Sequence, residues 1–125
     1  MDENTIAYKV IGAAINVHKE IGPGLLESAY HKAMMYELNL LNLNFESEVP
    51  VVFKYKDCLI QDAYRLDLLV EGKVIVELKA VEQKEKLSRA QLMTYLKSCD
   101  KRLGLILKFN TLSMKHGIMR VVNNL

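Results

Sequence analysis

The sequence predicts an α/β fold in which helices flank a mixed central sheet. Apolar residues recur at helical spacing through the first 41 positions, and from Val49 onward they form short runs rich in β-branched and aliphatic residues. A stretch with helical spacing then separates the third run from the last two. At 125 residues the chain fits a single domain, 1–125, which can bury a core without disulfide bonds.

Two amphipathic helices are expected at the N-terminal end. The apolar positions of residues 4–20 repeat at steps of three and four, and the turn signal Gly22-Pro23-Gly24 ends this helix. The second helix is expected from about Leu26 to Leu41. Its apolar stripe also contains Glu27, which we therefore expect on the buried face of the helix.

Three strands are expected next, as an antiparallel meander. The first two fall at 49–55 and 59–70, and Glu71-Gly72-Lys73 is a hairpin turn signal before a third strand at 74–80. The charged stretch 82–86 then leads into another helix. The remaining expected elements are that helix, over 87–98, and strands at 103–109 and 117–122.

Composition narrows the cellular context and the possible partners. Cys58 and Cys99 are too few for a disulfide framework and lack metal-ligand spacing, so both are expected to be reduced thiols of a cytoplasmic protein. No apolar run approaches the length of a membrane span or a signal-peptide core, and no membrane contact is expected. The formal net charge of +2 permits a nucleic-acid partner without demanding one, because affinity for phosphates depends on local clusters of lysine and arginine.

Asp67, Glu77 and Lys79 are charged residues within two strands that are otherwise apolar. A buried charge carries a large desolvation penalty unless it is paired or bound to a metal. Two carboxylates and a lysine at this position therefore indicate a metal site with a catalytic cation beside it.

The hairpin between these two strands decides whether the two acids meet, because side chains alternate across a sheet. A two-residue loop would turn Asp67 and Glu77 to opposite faces. A three-residue Val70-Glu71-Gly72 loop would pair Leu69 with Lys73 and put both carboxylates on one face. We predict this odd-length loop or an equivalent bulge.

The residue types suit hydrolysis of a phosphodiester assisted by a hard divalent cation. Mg²⁺ or Mn²⁺ prefers carboxylate, carbonyl and water oxygens, which Asp67, Glu77 and the backbone carbonyl of Leu78 could supply. Such a cation lowers the pKa of a coordinated water and neutralises charge on the phosphate. Lys79 could orient the water or stabilise the transition state, and Glu27 could enter from the second helix as a further ligand or a base.

The pattern Asp67…Glu77-Leu78-Lys79 on this order of elements resembles the PD-(D/E)XK nuclease superfamily. The segment Gly24-Leu25-Leu26-Glu27-Ser28-Ala29-Tyr30 is similar to the motif of its GxxExxY family. The resemblance covers most of the chain and implies a restriction-endonuclease-like core with an extra N-terminal helix. It also implies that Glu27, Asp67 and Glu77 are metal ligands and that Lys79 is the catalytic lysine.

Two residues of the helix after the lysine strand extend the resemblance. Gln91 and Tyr95 look like the QxxxY element of RecB-type nucleases in the same superfamily, where that helix borders the active site. The resemblance implies a supporting role for both. The proline that names the superfamily is missing, because Leu66 stands before Asp67.

The tyrosines and histidines have plainer interpretations than catalysis. Tyr30 and Tyr95 are expected to support the site by packing, with their hydroxyls in hydrogen bonds. The three histidines form no ligand spacing with one another, and structural or surface roles are expected for His18, His31 and His116. His31 lies one helical turn after the glutamate of the GxxExxY motif and could touch the edge of the site.

Basic residues near the start of the third helix are candidate substrate contacts. Lys84, Lys86 and Arg89 could guide a phosphate backbone, although interleaved acidic residues weaken the local field and favour a solvated face instead. The same segment contains a second Glu-x-Lys, Glu82-Gln83-Lys84, so that motif means little outside its structural context.

The sequence therefore predicts an Mg²⁺- or Mn²⁺-dependent nuclease that acts on DNA or RNA. The alternative is a non-catalytic nucleic-acid-binding or protein-interaction module that retains the nuclease fold. The intact set of three acids and one lysine favours catalysis. The short chain leaves little room for a nucleic-acid clamp, which a homodimer could supply.

Overall fold

A computed structural model describes all 125 residues and contains three α-helices, five strands and one short 3-10 helix. None of the helices combines the length and apolar character that a membrane-spanning segment needs. The elements are α1 (Glu3–Ile21), α2 (Glu27–Leu40), β1 (Phe45–Tyr55), β2 (Cys58–Val70), β3 (Val74–Lys79), α3 (Glu85–Cys99), β4 (Leu103–Lys108), the 3-10 helix (Met114–Gly117) and β5 (Ile118–Val122).

The five strands form one sheet in the order β1-β2-β3-β4-β5. β1, β2 and β3 are antiparallel neighbours, β4 lies parallel to β3, and β5 lies antiparallel to β4. A parallel pair needs a crossover connection, and α3 provides it between β3 and β4. The predicted α/β fold, with an antiparallel meander in a mixed sheet flanked by helices, is confirmed.

Helices cover both faces of the sheet, because side chains alternate along each strand. On β3, Val74, Val76 and Leu78 pack with α1 and α2, whereas Ile75 packs with α3. Burial on both faces explains why the central strands are almost continuously apolar. The core on the α1–α2 side includes Ile6, Val10, Tyr30, Met34, Leu38 and Phe109, and the core on the α3 side includes Leu66, Leu69, Leu92, Leu96 and Ile106.

The loop between α1 and α2 is tied to α2 by a tyrosine hydroxyl. Gly22 ends α1 with φ at 69°, a value that favours glycine, and its N–H donates to the carbonyl of His18 at 2.8 Å. The hydroxyl of Tyr30 donates to the carbonyl of Gly22 at 2.6 Å and accepts from the N–H of Leu25 at 3.2 Å. This bonding fixes the start of α2, whose first residue is Glu27.

The loop of the hairpin between β2 and β3 has an odd number of residues, 71–73, which confirms the predicted odd-length loop. Val70 pairs with Val74, and the N–H of Lys73 donates to the carbonyl of Val70 at 3.0 Å. The expected pairing of Leu69 with Lys73 is wrong. Glu71 has φ at 54°, followed by a glycine at 64°, so the left-handed part of the turn starts one residue earlier than the glycine alone indicates.

Two elements begin more than one residue earlier than the sequence predicts. β1 begins at Phe45 rather than Val49. The sequence did not indicate the first half of this strand, because that half is largely polar, lies at the sheet edge and shows no apolar alternation. Within that half, Glu48 has φ at 56° and is left out of the pairing with β2. α3 begins at Glu85, two residues earlier than expected, and its first turn is largely charged and solvent-exposed.

Candidate functional site

Asp67 and Glu77 meet where the regular pairing of β2 and β3 ends. The last paired residues are Leu68 and Val76, so the same register brings Asp67 opposite Glu77. The N–H of Asp67 donates to the Glu77 carboxylate at 2.9 Å, and the N–H of Leu78 donates to the Asp67 carboxylate at 2.8 Å. Each acid thus accepts a backbone hydrogen bond from the opposite strand, which fixes the orientation of both side chains.

Burial makes both carboxylates costly to ionise. Glu77 is only 5% exposed, and burial together with the negative charge of Asp67 raises the pKa of Glu77 to about 8. Burial also raises the pKa of Asp67, while the Leu78 N–H and the charge of Lys79 act in the opposite direction. The pair therefore lacks enough positive charge of its own, and a bound cation would supply what is missing.

Glu27 approaches the pair from α2, but it is not on the buried face that the sequence predicts. It is solvent-exposed, because it is the first residue of the helix and precedes Tyr30, the first residue of α2 that is buried. Partial burial and the charge of Asp67 raise the pKa of Glu27, whereas the charges of Lys79 and His31 lower it. Glu27 therefore lies at the open side of the site, within electrostatic reach of both Asp67 and the lysine.

Lys79 ends β3 beside the three acids. Its charge lowers the pKa of Glu27, Asp67 and Glu77, yet none of the salt bridges of the protein includes it. Lys79 is half-buried as a residue, and its ammonium group is not held against one carboxylate. It is therefore free to contact a water molecule or a phosphate oxygen.

Tyr30 supports the site from behind rather than facing it. Its ring stacks on Phe109 with the centroids 4.4 Å apart and the planes 10° apart. The N–H of Phe109 donates to the carbonyl of Lys79 at 2.9 Å. Tyr30 thus braces the end of β3 from which the lysine projects, while its hydroxyl holds the loop before Glu27.

Tyr95 reaches the acids from α3. It is buried, and its ring centroid is 6.2 Å from those of Phe53 and Tyr64, which belong to β1 and β2. Burial raises the pKa of Tyr95, and the charges of Glu77 and Asp67 raise it further. Tyr95 therefore stays a neutral phenol next to the carboxylates and covers the inner side of the site.

The other candidate residues of this region lie before Tyr95, toward the start of α3. The hydrogen bonds of the two strand acids go to backbone N–H groups and not to Gln91, which is half-buried and lines a cavity of about 300 Å³ together with Lys84. Lys84, Lys86 and Arg89 surround a second depression, of about 650 Å³. Arg89 is 3.1 Å from Glu85, one turn earlier, so this arginine is already paired.

Sequence reasoning missed Glu48 and gave His31 only a peripheral role. One potential ligand atom from each of His31, Glu48 and Asp67 lies within 4.8 Å of the other two. Glu48 stands opposite Asp67 in the antiparallel alignment of β1 and β2, between the pairs Ser47–Leu68 and Val49–Leu66. Glu48 would have been found by extending the predicted β1 strand toward the N-terminus, beyond its apolar part.

The fold and these residues define a nuclease-like α/β domain, with acids and a lysine where two central strands diverge. A family model of the PD-(D/E)XK nuclease superfamily matches residues 4–121. The chain therefore belongs to this superfamily, whose members generally use divalent metal ions. Searches of curated proteins and of solved structures find no significant match.

Proposed function

We propose that this chain is a metal-dependent nuclease of the GxxExxY family that hydrolyses phosphodiester bonds of DNA or RNA. The observation that carries the proposal is the convergence of Glu27, Asp67 and Glu77 around Lys79, whose ammonium takes part in no salt bridge. A purely structural group of buried charges needs close pairing to offset desolvation. This group lacks such pairing, which fits a site that binds further charged partners.

The donor set fits a hard divalent cation, Mg²⁺ or Mn²⁺. Asp67, Glu77, Glu27 and the backbone carbonyl of Leu78 would hold it, since all of them are oxygen donors. The two strand acids each accept only one hydrogen bond through one carboxylate oxygen. When bound, the cation would lower the pKa of a coordinated water and neutralise negative charge on the phosphate.

The residues of the chain supply the remaining requirements of hydrolysis. Lys79 carries an ammonium group with three donors, so it can orient the attacking water or stabilise the charge that grows on the phosphate oxygens. Glu27, at the open side, can accept a proton from that water as an alternative to serving as a ligand. Tyr95 excludes solvent from the inner side and keeps the two strand acids in a dry environment.

Substrate contact is proposed for the start of α3. Lys84 and Lys86 are exposed there and make no salt bridge, whereas Arg89 is paired with Glu85. Two free lysines attract a phosphate backbone but give no sequence specificity. A homodimer would present two such pairs of lysines to one substrate.

Cleavage assays test this proposal directly. The purified protein is incubated with single-stranded, duplex and branched DNA and with RNA, in Mg²⁺, Mn²⁺ or chelator. We expect metal-dependent cleavage of at least one substrate, lost in Lys79→Ala and in Asp67→Ala and retained in Lys97→Ala, which removes an exposed lysine of α3. Circular dichroism checks that each variant is folded.

A wild type that cleaves nothing above the Lys79→Ala level would contradict the proposed function. Metal-independent binding of the same nucleic acids would then support a non-catalytic binding module on the nuclease fold. Failure to bind any of them would leave a protein-interaction module as the remaining alternative.

A further inference from the structure

We propose that His31, Glu48 and Asp67 form a second cation position that takes a first-row transition metal ion such as Mn²⁺, Co²⁺ or Zn²⁺. The position deepens the proposed function, on which it rests, because Asp67 belongs to both cation positions. The three residues come from three different elements, α2, β1 and β2, which meet at the open side of the site.

The distances within this group suit one bound ion. The Nδ1 atom of His31 is 3.6 Å from the Oε1 atom of Glu48. One potential ligand atom of each residue also lies within 4.8 Å of a carboxylate oxygen of Asp67. Two ligand atoms that are each about 2.1 Å from an ion stand about 3.0 to 3.4 Å apart at ordinary bond angles. Small side-chain rotations would therefore bring all three groups into one coordination shell.

A serine holds the imidazole in the orientation that a ligand needs. The Nε2 atom of His31 is 2.8 Å from the hydroxyl of Ser47, and the His31 side chain is only 12% exposed. When Nε2 carries the hydrogen and donates it to Ser47, the lone pair of Nδ1 faces Glu48. Metal-binding histidines commonly use their second nitrogen in this way, which fixes the tautomer and the ring plane.

A plain ion pair explains the arrangement less well. At 3.6 Å the Nδ1 atom of His31 is beyond good hydrogen-bond distance from Glu48, whose side chain is 54% exposed. An exposed pair of this kind contributes about 0 to 1 kcal/mol and would not orient a half-buried ring. An ion pair between His31 and Glu48 also does not explain why the Asp67 carboxylate lies close to both. An ion bound between the three groups explains it.

The space next to this group is large enough for a hydrated ion and part of a substrate. A depression of about 340 Å³ is lined by His31, Glu48 and Ser47, with Glu27 one helical turn before the histidine. Lys32 stands at its rim and supplies a positive charge. The depression is open to solvent and continues the side of the site at which Glu27 lies.

The nitrogen ligand sets the chemical preference of this position. Imidazole suits Mn²⁺, Co²⁺ and Zn²⁺, whereas Mg²⁺ favours a shell made only of oxygen atoms. Mg²⁺ should therefore occupy only the position at Asp67 and Glu77. Mn²⁺ should occupy both positions, so the protein binds more Mn²⁺ than Mg²⁺ at saturation.

Pulsed electron paramagnetic resonance of bound Mn²⁺ tests the position without any activity measurement. We expect a ¹⁴N coupling typical of a coordinated imidazole in the wild type. It should disappear in His31→Gln and persist in His116→Gln, which removes an exposed histidine of the 3-10 helix. Calorimetry should show one class of Mn²⁺ site weakened by at least about 10-fold in Glu48→Gln, since even the loss of a group that only orients a ligand costs about 10- to 100-fold.

The outcomes separate this position from the proposed nuclease centre. Absence of the coupling in the wild type, or its persistence in His31→Gln, would overturn the second position while leaving metal-dependent cleavage intact. A coupling that is present in a protein without nuclease activity would support the position and contradict the proposed function. Glu77→Gln should keep the coupling, since that change leaves His31, Glu48 and Asp67 in place.

Discussion

Replacing Glu77 with glutamine is expected to stabilise the metal-free protein while abolishing cleavage. The glutamine side-chain carbonyl can still accept the N–H of Asp67, which now lies 2.9 Å from the glutamate oxygen. The substitution therefore removes a buried negative charge without removing a hydrogen bond. Any gain in stability then measures the cost of ionising this carboxyl in the folded protein.

The sign and size of the effect follow from the pKa of Glu77. The pKa rises from 4.5 to about 8 on folding, because burial and Asp67 disfavour the charged form. A carboxyl with a raised pKa contributes stability that is fully present below its unfolded pKa and is lost as the pH rises through its folded pKa. The stabilisation of Glu77→Gln over wild type should therefore be about 3 kcal/mol larger at pH 8.5 than at pH 5.5.

Urea unfolding in the presence of a chelator measures this difference. Wild type, Glu77→Gln and Glu46→Gln are compared at the two pH values, and Glu46 is the control because it is exposed on β1 and takes part in no salt bridge. We expect the stability of the control to follow that of the wild type at both pH values. If Glu77→Gln gains no stability, or gains the same amount at both pH values, the proposed cost of the buried charge is refuted.

Three further predictions concern the support of the site and its cation. Tyr30→Phe removes the hydroxyl that ties the loop before α2 and should lower the free energy of unfolding by about 1 to 2 kcal/mol, whereas Tyr36→Phe, at an exposed ring, should not change it. Gly117→Ala should lower the free energy of unfolding by about 3 kcal/mol, because the added Cβ would lie 2.1 Å from the carbonyl oxygen of Lys108. Gly12→Ala, in open space on α1, should raise the free energy of unfolding by about 0.5 to 1 kcal/mol. Urea unfolding that ranks the two glycine variants in the opposite order would contradict this. Mg²⁺, which is expected at one position only, should stabilise the wild type by about 2.7 kcal/mol in thermal unfolding when it is present at 100 times its dissociation constant, and an unchanged melting temperature would exclude cation binding.

Most of the fold was predictable because buried helices and strands require apolar residues at regular spacings in the sequence. The helices and the central strands showed their apolar spacing, and the odd parity of the β2–β3 hairpin followed from requiring Asp67 and Glu77 to meet. The exact turn was not predictable from local rules. Glu71 adopts a left-handed φ of 54°, which sterics disfavour for a residue with a Cβ, and its position in the turn depends on the sheet around it.

The strand residues of the candidate site were predictable because a charge broke an apolar pattern. Asp67, Glu77 and Lys79 stand out in the sequence because the last part of β2 and the whole of β3 are otherwise buried and apolar. Glu48 does not stand out, because it lies in the polar, exposed half of an edge strand, where another acid is unremarkable. His31 needed the packing of α2 against β1 to bring it next to Ser47, which no spacing in the sequence specifies.

The arrangement of charges itself argues for a function beyond packing. Burial and the charge of Asp67 disfavour the ionised form of Glu77, which lowers the stability of the folded chain at neutral pH, and Lys79 only partly offsets this cost. An amide or an apolar side chain in place of Glu77 would make the metal-free protein more stable, which the glutamine variant tests. A cation that binds between these carboxylates reverses the balance, because it favours the ionised form that the protein alone resists. The same residues that destabilise the free protein are thus the ones best suited to hold the metal ion that the proposed function requires.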